Sequence, residues 1–174
     1  MEHQEYAAVP LPYPAIEPVP NLHYARILME DYAGIAGELT AITTYGYQHV
    51  VVAESFPNFS EELTKISIVE MHHLHILAEL IQKLGGDPLY RAHSNPTMGH
   101  FWSAQNVNYQ HSFPDIIVEN IKGEKLAIEN YKRHLCLIQD ASVQKNLCRI
   151  IQDEEHHIHL FSKALALWKQ GALT

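Results

Sequence analysis

The residues of this chain best suited to chemistry lie in two short stretches, Glu70-Met-His72-His73-Leu-His75 and Glu154-Glu-His156-His157-Ile-His159. Each contains Glu-x-x-His, and no other segment of the 174 residues does. Positions three apart share a helix face, so the carboxylate and the imidazole can reach one cation. In a chain with 13 histidines and 20 acidic residues, two matches are weak evidence by count. Placement makes them stronger. Glu70 sits among Leu63, Ile66, Leu74 and Leu77, and Glu154 among Leu147, Ile150, Ile151, Ile158 and Phe161, each on the apolar side of a helical pattern.

The elements that must position them follow from periodicity and stop signals. A first helix is expected from Asn21, an N-cap, to about Glu54, with Ile27, Ile35, Ala41, Ile42, Tyr45 and Val52 as its apolar stripe. Residues 55–59 read as a turn, and Ser60 as the cap of a second helix that stops at Gly85-Gly86-Asp87-Pro88. Residues 87–112 show no clear period and are too many for a simple turn. They suffice to cross a bundle from end to end, which makes the second and third helices parallel. The third helix runs from about Pro114 to Gln139 and the fourth from about Val143 to Gln170, with Asp140-Ala141-Ser142 as the turn. The expected fold is all-α: a ferritin-like four-helix bundle, two antiparallel hairpins joined by one long crossover.

Hairpin symmetry shows what faces the two motifs. Partners across an antiparallel hairpin average to the turn centre, near 57 for the first hairpin and 141 for the second. Glu38 with His73 averages to 55.5, and Glu124 with His157 to 140.5. Both glutamates lie on apolar stripes, Glu38 with Tyr45 and Glu124 with Tyr131. Four carboxylates in an apolar bundle core are expensive unless cations compensate them. Two divalent metals balance Glu38, Glu70, Glu124 and Glu154, and His73 and His157 complete the set. Carboxylate and imidazole ligands suit manganese or iron. Asp153 is placed to hold the other ring nitrogen of His73.

Other residues carry blander expectations. Glu119 and Glu129, each five residues from Glu124, point to other faces. His72, His75, His156 and His159 read as flank residues. Tyr45 and Tyr131 read as core residues, a hydroxyl aimed at a carboxylate being the less expected arrangement. Cys136 and Cys148 read as two small buried thiols. The net charge of -8 argues against nucleic acid, and no apolar run approaches a membrane span. The first 20 residues hold five of the nine prolines and read as an extended arm, followed by one domain over 21–174. Tyr6, Leu11, Tyr13, Ile16 and Val19 could pack this arm onto its own domain or onto a neighbouring subunit. The N-terminus lacks the pattern of a signal peptide, so a cytoplasmic protein is expected; an acidic bundle with a proline-rich arm is expected to assemble as a homo-oligomer.

The segments Tyr32–Ile42, Val69–Pro88, Asn120–Tyr131 and Asp153–Phe161 together resemble the manganese-catalase-like branch of the ferritin-like superfamily, over about residues 20–170. Rubrerythrins and bacterioferritins share the ligand frame more distantly. The resemblance implies a di-manganese or di-iron centre acting on hydrogen peroxide. It maps ligands onto Glu38, Glu70, His73, Glu124 and His157, and makes Glu154 either a ligand or a proton acceptor. Where rubrerythrins carry an additional glutamate, this chain has Ala127, and it lacks a rubredoxin domain. The longer manganese catalases also carry C-terminal extensions not present in this sequence. The implied activity is catalase-like disproportionation. Ferroxidase or rubrerythrin-like peroxidase chemistry is the alternative on the same frame, and a non-catalytic metal-binding structural protein, such as a spore-coat component, the alternative from another class.

Overall fold

The computed structural model describes residues 7–8, 12–92 and 100–173, so Tyr6 and Leu11 lie outside the described residues. The helices are α1 (Leu22–Ala33), α2 (Glu38–Val52), α3 (Pro57–Lys83), α4 (Phe113–Leu137) and α5 (Ala141–Lys169). Together α1 and α2 fill the place of the first bundle helix, so the architecture is the ferritin-like four-helix bundle. Among the described residues, no helix is long and apolar enough to cross a membrane.

The single helix expected from Asn21 to Glu54 is in fact two. Asn21 caps α1 as expected, its side chain accepting from the backbone N–H groups of His23 and Tyr24 at 3.0 and 3.3 Å. The break lies at Gly34-Ile35-Ala36-Gly37, where both glycines are extended. A Cβ on Gly34 would come within 2.4 Å of the Glu30 carbonyl oxygen, and one on Gly37 within 2.6 Å of the Asp31 carbonyl oxygen. The sharp turn therefore requires glycine at both positions. It throws Ile35, expected in the apolar stripe, out to 71% exposure, and it makes Glu38 the first residue of α2. The second helix also begins earlier than Ser60. Pro57 takes its first position, and the Phe56 ring before it packs at a tilt against Phe113 with ring centroids 4.5 Å apart. Ser60 is buried inside the helix and donates to the His49 carbonyl at 3.0 Å. Asp140 caps α5, accepting from Ser142 and Val143 N–H groups at 2.9 and 3.0 Å.

The crossover leaves the end of α3 beside Asn21, whose N–H donates to the Leu84 carbonyl at 2.9 Å. It arrives at Phe113, whose ring lies 5.0 Å from that of Phe59 in the first turns of α3. It thus spans the bundle, and α3 and α4 run parallel. Within it is a small ladder absent from the sequence reading: β1 (Arg91–Ala92) pairs antiparallel with β2 (His100–Phe101). Beyond β2 the strap is tied to α2, Trp102 Nε1 donating to Thr40 Oγ1 at 3.0 Å and Asn108 N–H to Thr44 Oγ1 at 3.2 Å.

The buried apolar residues form two cores. One contains Leu28, Leu77, Leu80, Ile81, Leu147 and Ile150, and the other Phe59, Leu63, Ile66, Ile116, Ile117 and Phe161. Along α3 and α5 the sequence passes from one core to the other through Glu70–His73 and Glu154–His157. The polar layer is thereby held between two packed apolar blocks. Cys136 and Cys148 are exposed free thiols, against the expectation that they are buried, because their helix faces turn away from both cores.

Candidate metal centre

Four helices deliver one polar side chain or pair each to this layer: Glu38 from α2, Glu70 and His73 from α3, Glu124 from α4, Glu154 and His157 from α5. All six are buried; even the most accessible, Glu38 and Glu124, are only 3% exposed. His73 Nδ1 lies 2.9 Å from Glu70 Oε2, 3.1 Å from Glu154 Oε1 and 3.6 Å from Glu38 Oε2. His157 Nδ1 lies 2.9 Å from Glu70 Oε1, 3.1 Å from Glu154 Oε2 and 3.9 Å from Glu124 Oε1. Two four-residue groups result, Glu38–Glu70–His73–Glu154 and Glu70–Glu124–Glu154–His157, each with its donor atoms within 4.8 Å of one another. Glu70 and Glu154 belong to both, offering one oxygen to each side.

The charges in this layer act on one another at close range. Burial, with the charge of Glu154 beside them, pushes the carboxyls of Glu38 and Glu124 well above the usual range. Burial acts the same way on Glu70, but His157 and His73 outweigh it and hold that carboxyl below the range. Burial would lower both imidazoles. The glutamates around them win, Glu154 and Glu38 raising His73, and Glu70 and Glu154 raising His157.

Supporting side chains orient the six. Tyr131 donates to Glu38 Oε1 and Tyr45 to Glu124 Oε1, and burial together with those carboxylates pushes both phenols up. The tyrosines are thus more than the core residues the sequence suggested. Asp153 meets His73 Nε2 at 3.0 Å, as expected from its place in the sequence. Burial would raise its carboxyl, but His73 and the Arg149 guanidinium overcome this and hold it at about 2. Arg149-x-x-x-Asp153 spacing was a readable signal for that ion pair. The buried pair Asp31–His134, 2.7 Å apart, carried no sequence signal.

Two observations fit the site to cations. Asp153 is ionised and can only accept, so the ring proton of a neutral His73 is on Nε2. Nδ1 faces the Glu70 and Glu154 oxygens at 2.9 and 3.1 Å, so positive charge must stand among these atoms; without metal the proton of the raised His73 supplies it, and a bound cation would take that proton's place. In addition, two divalent ions match the four carboxylates in formal charge, and the donor set is that of hard to borderline metals.

A cavity of about 250 Å³ opens between α2 and α4. Its inner end is Glu38, Glu124 and Glu154, while Ala41, Gly123 and Ala127 keep its walls thin. The competing carboxylates stay outside the layer, Glu119 paired with Lys122 and Glu129 exposed. His72, His75 and His159 are exposed and His156 half-buried, so none joins the six.

A four-helix bundle with one long crossover and a buried carboxylate–histidine layer defines the ferritin-like class. The chain belongs to the ferritin-like family, whose domain model matches residues 33–170. Among solved structures it is similar to KatB, a manganese catalase from Anabaena, at 24% identity with a TM-score of 0.80, covering 95% of this chain and 80% of that one. It is also similar to the bacterioferritin of Desulfovibrio desulfuricans, at 23% identity and a TM-score of 0.72 over 86% of this chain and 82% of that one. The Mycobacterium tuberculosis bacterioferritin BfrA matches at 20% identity and 0.72 over 87% and 89%. At these identities the likeness concerns the fold. Curated proteins give no match.

Proposed function

We propose that this protein is a di-metal carboxylate oxidoreductase of the manganese-catalase type that disproportionates hydrogen peroxide, two H₂O₂ giving two H₂O and O₂. The observation that carries the reading is the cavity, which reaches three carboxylates of a layer otherwise closed to solvent. Likeness to a manganese catalase over 95% of the chain supports it. Glu38, Glu70, His73, Glu124 and His157 would hold two manganese or iron ions, with Glu154 beside them. When bound, such ions supply a two-electron redox couple and Lewis acidity.

The chain's own groups supply the rest. Glu154 touches both imidazoles and also lines the cavity, so it is the carboxylate placed to take a proton from an incoming peroxide and return it to the departing water. Tyr131 fixes Glu38 Oε1 and leaves Oε2 facing His73, while Tyr45 holds Glu124 Oε1, the oxygen on the His157 side. Thin walls at Ala41, Gly123 and Ala127 admit a small neutral molecule, and the acidic inner end disfavours anions. The two apolar cores above and below keep bulk water out. Disproportionation needs no outside reductant. We place the protein in the cytoplasm as a homo-oligomer.

The test is metal content per chain for protein produced with manganese and iron both supplied, followed by oxygen release from peroxide. About two manganese per chain with oxygen evolution is expected. Two irons without oxygen evolution would move the reading to ferroxidase or peroxidase chemistry. A folded chain that binds neither metal would overturn it.

A further inference from the structure

The arm before α1 runs along α5 of its own chain. Its root is pinned near the α4–α5 turn, Glu17 N–H donating to Ser142 Oγ at 2.8 Å and Val19 N–H to Asp140 Oδ2 at 2.9 Å, while Lys83 Nζ donates to the Ile16 carbonyl at 2.6 Å. Its farther part reaches the polar layer. Tyr13 donates to Asp153 Oδ2 at 2.9 Å, and Ala8 N–H to Asp153 Oδ1 at 2.7 Å. The Tyr13 ring lies edge-on to His73 at 6.0 Å and beneath the Arg149 guanidinium at 4.5 Å. Asp153 is thus clamped between the arm and Arg149 while it holds His73 Nε2 at 3.0 Å.

From this geometry we infer that the N-terminal arm is a positioning element for the His73 half of the centre, with Tyr13 acting on that metal position through Asp153. The inference rests on the two-metal reading above. Its physical basis is direct contact: the arm lies over His73 and anchors the carboxylate behind it. A histidine ligand whose partner wanders loses ring orientation and basicity, and such partners commonly matter 10- to 100-fold in metal affinity. The arm's prolines serve the same end. With Pro12, Pro14, Pro18 and Pro20 already extended, less backbone entropy is lost when the arm lies down than for a free chain.

The experiment is a Mn²⁺ titration of the metal-free full-length chain, with free Mn²⁺ read by electron paramagnetic resonance. Variants are Tyr13→Phe, Tyr13→Ala, Asp153→Asn and the double variant Tyr13→Phe/Asp153→Asn. Wild type is expected to bind two equivalents. Tyr13→Ala should weaken one of them about tenfold or more and leave the other within threefold. Tyr13→Phe, which keeps the ring over His73, should weaken that same equivalent less. Adding Tyr13→Phe to Asp153→Asn should change nothing further, because the hydroxyl acts only through that carboxylate. Tyr13 variants that leave both equivalents within twofold, or weaken both alike, would overturn the inference while the two-metal reading stood. A wild-type chain that binds no Mn²⁺ would overturn both.

Discussion

Replacing Glu124 by glutamine should stabilise the metal-free protein and weaken the metal-loaded one. Burial and the neighbouring Glu154 raise the Glu124 carboxyl well above its ordinary value of 4.5. Without metal, the folded chain therefore either keeps a proton there at neutral pH or carries an uncompensated buried charge. Each pH unit between the ordinary value and the working pH is worth about 1.36 kcal/mol, so keeping that proton to pH 7 costs the fold up to ~3 kcal/mol. Glutamine has nearly the same shape, can still accept from Tyr45, and carries no such cost. At pH 7 and with metal removed, Glu124→Gln should gain about 1–3 kcal/mol, and at roughly 2–4 °C per kcal/mol its Tm should rise by several degrees. At pH 4.5 the gain should vanish. With Mn²⁺ in excess the order reverses, because metal stabilises the folded state by RT ln(1 + [L]/Kd) and the variant has lost a donor. Thermal unfolding by circular dichroism, with and without chelator, at pH 4.5 and 7, measures all four quantities. A variant less stable than wild type without metal at pH 7, or one that gains equally with and without metal, would refute this account of the layer.

Three further outcomes are expected. Above about pH 4.5, where the lowered Glu70 and Asp153 already contribute fully, the metal-free protein should lose stability as pH rises. The raised Glu38 and Glu124 hold protons that the unfolded chain releases above about 4.5, and the raised His73 and His157 contribute stability present below pH 6.5 and lost above it. Adding Mn²⁺ at pH 7 should then release protons into weak buffer, and an indicator dye that registers none would contradict the charge assignment. Ala127→Phe should fill the cavity, keep two metals per chain and cut oxygen release from peroxide at least about tenfold; unchanged turnover would mean that substrate enters elsewhere. Gly37→Ala should destabilise by roughly 1–3 kcal/mol, because its Cβ would meet backbone atoms that cannot give way, and should reduce metal content by displacing Glu38. Denaturant unfolding and metal analysis check both effects.

The helical periodicity, the stop at Gly85-Gly86, the long crossover and the six inward residues of the polar layer were legible in the sequence. Those features are local or repeat with the helix period, and hairpin symmetry carries a local pattern to the facing helix. Even Asp153 was legible, from its place beside Glu154. The tertiary structure decided what depends on close approach between distant segments. Gly34 and Gly37 read as residues tolerated inside a helix, and only the contact of their would-be Cβ atoms with the Glu30 and Asp31 carbonyls shows that the helix must break there. Tyr45 and Tyr131 lie on the apolar stripe in any helical reading. Their hydroxyls find Glu124 and Glu38 because the two hairpins pack face to face, bringing together residues 79 and 93 positions apart. The arm's hold on Asp153 spans 140 positions and has no periodic signature, since an extended chain docks wherever donors and acceptors meet. Periodicity reports which face of an element is buried; which atoms then meet across that face is set by packing alone.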